Sequence, residues 1–168
     1  LSGYPGLDSK ILEIRKTLMR IPGIPASDIV ACMLLLSSLA NMAGQALQSS
    51  LFATGTTESQ FQTEMVKHLR SNPNIGSQLE EHPHSGGGVV DLSYRQIRLE
   101  LKVDSDSALT EHKISKFCDQ TAHYVVTSGK RIGILCILDA SKRTGPPKPA
   151  ESLLSVTIKH ESHATVPI

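Results

Sequence analysis

Aromatic residues are scarce in this chain. It contains no tryptophan and only three tyrosines and three phenylalanines among its 168 residues. Proteins that bind single-stranded nucleic acid without sequence preference commonly stack several aromatic side chains on the bases. The scarcity therefore weakens any interpretation of the chain as an aromatic base-stacking platform.

An excess of charge of one sign is also missing. The 17 Lys and Arg residues nearly balance the 16 Asp and Glu residues, which gives a formal net charge of +1. The overall charge therefore does not attract the chain to nucleic acids or membranes. A polyanionic ligand would have to bind at a local basic patch, assisted by a metal ion.

The cysteines are too few and too far apart in the sequence to form a disulfide framework. The three residues, Cys32, Cys118 and Cys136, match neither a disulfide scaffold nor a zinc site and fit a reducing compartment. The chain starts Leu-Ser-Gly-Tyr-Pro, without an initiator Met or a signal peptide. We therefore expect a cytoplasmic or otherwise intracellular domain or fragment of a larger protein.

The first half of the chain has helical periodicity. Leu7, Ile11, Ile14 and Leu18 recur at helical spacing and predict a first helix, which Ile21-Pro22-Gly23 ends. A second, strongly apolar helix is predicted over residues 29–46, capped by Ser27 or Asp28. It could cross a membrane by length, but it contains polar residues and has no flanking Lys or Arg, so we expect no membrane contact. We expect it instead to be buried, or to form a homodimer or partner contact.

The second half mixes helices and strands. Thr57-Glu58-Ser59-Gln60 matches a capping box that opens a third helix, and a polar loop with His82, His84 and three glycines follows it. Period-two alternation then predicts two strands of a hairpin, at 89–93 and 97–103. A helix over 109–126, a buried strand over 131–138, a basic loop over 141–149 and a strand over 153–160 complete the pattern. These elements predict an α/β fold, with a helical segment at 1–55 and an α/β domain at 56–168.

The predicted hairpin brings candidate catalytic and metal-binding residues together. If Asp91 pairs across from Glu100, both carboxylates project from one face, and Lys102 shares that face. Two close carboxylates repel unless a cation lies between them, and hard oxygen ligands suit Mg²⁺ or Mn²⁺. A lysine beside such a metal can orient a water or stabilise charge on a phosphate. The alternative is an ordinary exposed strand with alternating Glu and Lys.

These residues resemble the PD-(D/E)XK nuclease superfamily, which has the restriction-endonuclease-like fold. Its pattern is an acidic residue at the end of one strand and Glu-x-Lys in the next, here Asp91 and Glu100-Leu101-Lys102. Glu64 in the third helix corresponds to a glutamate that the family often adds. Gln120 and Tyr124 match the Gln-x-x-x-Tyr helix of members similar to the RecB nucleases. The resemblance covers roughly 80 of the 168 residues and departs from the pattern at Val90, which replaces a proline.

The resemblance implies a metal-dependent nuclease acting on DNA or RNA. It implies Mg²⁺ or Mn²⁺ ligands at Asp91, Glu100 and the Leu101 carbonyl, with Glu64 supporting this metal or a second one. Lys102 would position the attacking water, and Gln120 would orient the site or contact the nucleic-acid backbone. Further candidates for nucleic-acid contact are Tyr124, Lys113, Lys116, Lys142 and Arg143.

Two non-enzymatic alternatives remain open. The chain could be a catalytically inactive member of the same fold that binds nucleic acid or protein, or an assembly module that uses the apolar helix at 29–46. The near-neutral charge favours these alternatives, because sequence-independent nucleases often carry a more basic surface. The joint presence of all the motif residues favours the enzyme.

Overall fold

The computed structural model describes residues 2–49, 51–82, 91–105, 109–142 and 149–168, with the backbone alone for Asp91 and Ala150. The structure is a mixed α/β fold with a four-stranded mixed sheet, a separate two-stranded hairpin and flanking helices. The helices are α1 Pro5–Leu18, α2 Ala26–Ser49, α3 Glu58–Ser71, α4 Pro73–Gly76 and α5 Glu111–Thr127, with a short 3-10 helix at Ala150–Leu153. The strands are β1 Leu79–His82, β2 Asp91–Tyr94, β3 Ile97–Asp104, β4 Ile132–Asp139, β5 Ile158–Glu161 and β6 Ala164–Pro167.

The two N-terminal helices belong to the main hydrophobic core. The predicted apolar stripe of α1 is buried in full, and α2 buries residues from Asp28 to Gly44. Both helices share one hydrophobic cluster with α3 and the sheet. Helix α2 is long and apolar enough to cross a membrane by length and composition, yet half of its apolar stretch is buried within the fold. The predicted burial of this helix is therefore confirmed, whereas the absence of a membrane contact and the domain boundary at residue 55 stay predictions.

The start of α2 differs from the prediction. The helix begins at Ala26, so Asp28 lies inside the first turn rather than at the cap. The carboxylate of Asp28 is buried and accepts a hydrogen bond from Arg131 at 2.7 Å. This ion pair joins the start of α2 to the residue just before β4.

The start of α3 confirms the predicted capping box. The Thr57 hydroxyl accepts a hydrogen bond from the Gln60 backbone, and the Gln60 side chain accepts one from the Thr57 backbone. Two amides that would otherwise lack a partner at the helix start are thereby satisfied. The helix then buries Phe61, Met65 and Leu69.

The main sheet has the strand order β1-β2-β3-β4. Strands β1, β2 and β3 are antiparallel neighbours, and β3 pairs with β4 in parallel. A two-residue turn, Arg95-Gln96, connects β2 to β3, and Arg95 adopts a positive φ of 54°. Strand β3 lies in the interior of the sheet, because β2 pairs with it on one side and β4 on the other. Helix α5 makes the crossover connection between the parallel strands β3 and β4.

The two faces of β3 have different neighbours. Its odd-numbered residues, including Leu99 and Leu101, enter the core formed with α1, α2 and α3. Its even-numbered residues face α5, since Arg98 lies over the Tyr124 ring and Asp104 pairs with Lys113. The predicted polar face of this strand is therefore covered in part by a helix.

Three predictions outside the central hairpin were wrong. The polar loop after α4 contains a strand, β1, that pairs with β2. The chain after the 3-10 helix forms a hairpin of β5 and β6 against α5 instead of one strand over 153–160. On α5, Ile114 and Phe117 are only half-buried, whereas Cys118 and Ala122 join Thr121 and Val125 on the buried side.

Of the predicted features, His84, the three glycines at 86–88, Val90 and Arg143 lie outside the described residues.

Candidate active site

The pairing of β1, β2 and β3 locates two predicted site residues, Asp91 and Glu100, relative to His82. His82 of β1 is the partner of Asp91 in β2. Strands β2 and β3 pair from Tyr94 with Ile97 to Leu92 with Leu99, and Asp91 and Glu100 are the residues next to the last of these pairs. Directly opposite residues of antiparallel strands share a face of the sheet. We call His82, Asp91 and Glu100 the cross-strand row.

Glu100 is a buried carboxylate whose two oxygens have different surroundings. The residue is only 6% exposed. Its Oε1 lies 2.9 Å from the Lys102 amine. Its Oε2 lies 4.0 Å from Nε of Arg98 and has no hydrogen-bond partner among the described residues. A buried carboxylate oxygen without a hydrogen bond is costly, so this atom is the best placed in the described site to bind a cation.

Lys102 is held as a cation. Burial by itself lowers the pKa of its amine, but the hydrogen bond to Glu100 and the negative charges of Glu100 and Glu58 outweigh burial, and the pKa is raised. A lysine with a raised pKa stays protonated at neutral pH. It can therefore donate hydrogen bonds and offset negative charge, but it cannot accept a proton from water.

Arg98 connects the strand to α5. Its guanidinium lies 5.0 Å from the centre of the Tyr124 ring, a cation–π contact. The Tyr124 hydroxyl in turn accepts a hydrogen bond of 2.9 Å from the Gln120 side chain. Gln120 and Tyr124, predicted as a motif, thus reach Glu100 through Arg98 in the described structure.

The carbonyl of Leu101 faces the β2 side of β3. Asp104 and Gln96 direct their carbonyls toward β4, where they accept hydrogen bonds from Ala140 and from Arg131 and Ile132. Backbone groups alternate in direction along a strand, so the odd-numbered Leu101 directs its carbonyl the other way. The position opposite Leu101 on β2 lies outside the described residues.

The two acidic residues of α3 behave differently. Glu64, the predicted ligand, lies 3.7 Å from Lys67 on the same helix, and no described contact joins it to Glu100 or Lys102. The α3 carboxylate whose charge acts on Lys102 is Glu58, at the first position of the helix. Glu58 continues the buried stripe of Phe61, Gln62 and Met65 by one turn, whereas Glu64 lies to the side of it.

Of the lysines predicted to contact nucleic acid, Lys113 is paired with a carboxylate of β3. The amine of Lys113 bonds both carboxylate oxygens of the buried Asp104, at 2.7 and 3.0 Å. This pairing anchors the start of α5 to the end of β3. Lys116 and Lys142 are exposed.

A second polar group lies beside the cross-strand row on β1 and β2. The hydroxyl of Ser93 donates a hydrogen bond of 3.1 Å to the Glu80 carboxylate and lies 2.9 Å from Nε2 of His82. Ser93 is buried, whereas the side chains of His82 and Glu80 are more than half exposed. The ring of His82 is therefore tethered through one nitrogen.

A divalent metal ion fits this site in part. Among the described side chains, no three His, Cys, Asp or Glu groups come close enough together to hold a metal ion. Asp91 enters the cross-strand row by its backbone register alone. The Oε2 atom of Glu100, which lacks a hydrogen-bond partner in the described chain, would supply one hard oxygen ligand to such an ion.

The sequence contained signals for the two site residues that the prediction missed. Arg98, Glu100 and Lys102 are spaced by two residues, so strand alternation sets Arg98 on the face of Glu100. Glu58 lies at helical spacing before Phe61, Gln62 and Met65. In both cases the periodicity of the element, and not a motif, identifies the residue.

Comparison with known proteins gives no match, because no family model, curated protein or solved structure is significantly similar to this chain. A function for the chain must therefore be inferred from its residues and their geometry.

Proposed function

We propose that this chain is a metal-dependent nuclease of the PD-(D/E)XK type, hydrolysing phosphodiester bonds of DNA or RNA. The observation that carries the proposal is the state of Glu100. It is buried on the interior strand of the sheet, one of its oxygens is paired with Lys102, and the other lacks a hydrogen-bond partner in the described chain. The position of Asp91 and Glu100 next to the paired residues Leu92 and Leu99 supports the same proposal.

The metal would be held by Asp91, by Oε2 of Glu100 and by the Leu101 carbonyl. A bound Mg²⁺ or Mn²⁺ supplies Lewis-acid polarisation of the phosphate and lowers the pKa of a water ligand. Glu58, whose charge acts on Lys102, is a better candidate for the supporting α3 carboxylate than Glu64.

Lys102 would stabilise negative charge rather than transfer a proton. Its amine stays protonated and is bound to Oε1 of Glu100, next to the oxygen proposed to bind the metal. From there it can orient the attacking water by donating a hydrogen bond, or stabilise the negative charge that develops on the phosphate. Arg98, whose guanidinium lies over the Tyr124 ring, would hold the Glu100 carboxylate in place.

The test is cleavage of a panel of single- and double-stranded DNA and RNA with Mg²⁺, with Mn²⁺ and with a chelator. We expect cleavage that requires metal and is lost in Glu100→Gln. Glu13→Gln is the matched control, because this glutamate makes an exposed ion pair with Lys10 on α1. If the parent chain cleaves no substrate with either metal but still binds nucleic acid, the inactive binding module is the better account.

A further inference from the structure

The outward face of α1 carries two exposed apolar side chains. Leu12 is 50% exposed and Met19 is 65% exposed, the largest value for a large apolar side chain among the described residues. The two are seven residues apart, so they project from the same side of the helix, about 10 Å from each other along its axis. The buried stripe of α1, which ends at Leu18, lies on a different side. The charges around this apolar pair indicate what it contacts.

Cationic side chains surround the apolar pair. Arg15 and Lys16 are the third and fourth residues after Leu12, which sets them on the same face, and Arg20 directly follows Met19. All three cations are exposed, and in the part of the chain that the structure describes their side chains form no ion pair or hydrogen bond. A local basic patch is therefore present on a chain whose formal net charge is only +1.

The acidic residues of α1 are bound elsewhere. The Glu13 carboxylate pairs with Lys10 at 2.7 Å on another side of the helix. Asp8 lies one turn before Leu12, and its carboxylate accepts a hydrogen bond of 2.7 Å from the Ser2 backbone amide. Neither carboxylate pairs with Arg15, so the cations of this face are available to an anionic surface.

The combination of cations and apolar side chains distinguishes between anionic partners. Nucleic-acid phosphates would bind Arg15 and Lys16 but would leave the apolar side chains of Leu12 and Met19 in water. A bilayer with anionic lipids offers phosphates to the cations and hydrocarbon, just beneath, to the apolar side chains. Lys and Arg side chains extend to the headgroup level while neighbouring apolar residues are buried. Both parts of the α1 face are thus satisfied by a lipid surface.

We infer that the outward face of α1 docks on the surface of an anionic membrane, with the helix parallel to the bilayer and Leu12 and Met19 inserted into it. This contact is peripheral, and α2 stays in the hydrophobic core. Helix α1 shares that core with the odd-numbered residues of β3, whereas Arg98 and its even-numbered neighbours face α5. The inference is therefore independent of the proposed function.

The test is flotation of the full chain with lipid vesicles, either of phosphatidylcholine alone or with about one third phosphatidylserine. We expect binding only to vesicles that contain phosphatidylserine, and weaker binding as NaCl is raised from about 0.1 M to about 1 M. Arg15→Gln combined with Lys16→Gln should weaken partitioning by about fivefold for each charge removed. Lys116→Gln is the control for loss of one charge, because Lys116 is an exposed lysine on α5, on the other side of the sheet.

Leu12→Ser combined with Met19→Ser distinguishes insertion from attraction of charge alone. This variant keeps all three cations but should weaken partitioning by about tenfold or more, because it removes the apolar surface that enters the hydrocarbon. All the substituted side chains are exposed, so thermal unfolding should show that each variant retains the fold.

Three results would overturn the inference. One is the absence of binding to either kind of vesicle, and another is equal binding to both kinds. The third is binding that neither double variant weakens. If vesicles do not bind but loss of Arg15 and Lys16 lowers affinity for DNA or for an acidic peptide, the face of α1 serves that partner and not a membrane.

Discussion

Lys102 is the residue whose chemistry the structure defines most sharply. Its amine is paired with a buried carboxylate, and its pKa is raised by that carboxylate and by Glu58 against the effect of burial. A group of this kind acts as a fixed positive charge at neutral pH. Its contribution to a reaction should therefore appear where negative charge develops, in the transition state.

We predict that Lys102→Ala separates catalysis from binding. The cleavage rate should fall by about two orders of magnitude or more, the scale of losing one electrostatic stabiliser. Affinity for nucleic acid should change little, since one phosphate contact among several carries a small share of binding. Single-turnover cleavage and an equilibrium binding assay measure the two effects.

Lys16→Ala is the control for that prediction, because Lys16 is an exposed lysine in the last turn of α1. It removes the same charge without touching Glu100. A loss of affinity in Lys102→Ala equal to its loss of rate would show that Lys102 binds substrate rather than acting on the transition state.

Cys32 gives a residue-scale prediction about the core. Burial raises the pKa of its thiol to about 12, and the residue is 2% exposed. The thiolate is the reactive form, so Cys32 should resist iodoacetamide at pH 8 to 9 in the folded chain and react in denaturant. Peptide mapping by mass spectrometry after each treatment measures this. Fast labelling of Cys32 in the folded chain would mean that α2 does not pack as described.

At the scale of elements, α2 owes its stability to packing rather than to its ends. We predict that Leu35→Ala, at a fully buried position, lowers the free energy of unfolding by about 2–5 kcal/mol. Val30→Ala is the matched control on the same helix, because Val30 is 63% exposed, and it should change stability by less than about 0.5 kcal/mol. Urea denaturation of both variants provides the comparison. Equal effects of the two substitutions would contradict the orientation of this helix.

Elements defined by local signals were predicted from the sequence, and those defined by distant partners were not. The capping box of α3 and the stripe of α1 depend on residues within one or two turns, so their sequences suffice. Asp28 was predicted as a cap because Asp is favoured there. Its actual partner, Arg131, is 103 residues away in sequence, so no local sequence pattern predicts this ion pair.

The same distinction explains the strands. Strand β3 alternates clearly, and its register with β2 follows from the two-residue turn between them. Strand β1 is the short, polar sequence Leu-Glu-Glu-His, which only pairing with β2 makes a strand. The proximity of Lys102 to Glu100 was therefore predictable, whereas the position of His82 opposite Asp91 was not.

At the scale of the whole molecule, a metal that binds only the folded chain should stabilise it. We predict that Mn²⁺ raises the melting temperature of the parent, and that a chelator reverses the rise. The increase should disappear in Asp91→Asn, because one member of the cross-strand row no longer carries charge. Differential scanning calorimetry at matched ionic strength measures the effect, with Mn²⁺-free Asp91→Asn as the reference. An equal increase in the variant would locate the metal elsewhere.

The cross-strand row reaches the outer edge of the sheet, and this has a consequence for self-association. Strand β1 is an edge strand, so its outer backbone groups could pair with a strand of another molecule. The strand is only four residues long and carries Glu80, Glu81 and His82, all exposed. Short length and charged side chains are the devices by which edge strands deter aggregation. These exposed polar residues thus keep this edge from pairing with a strand of another molecule.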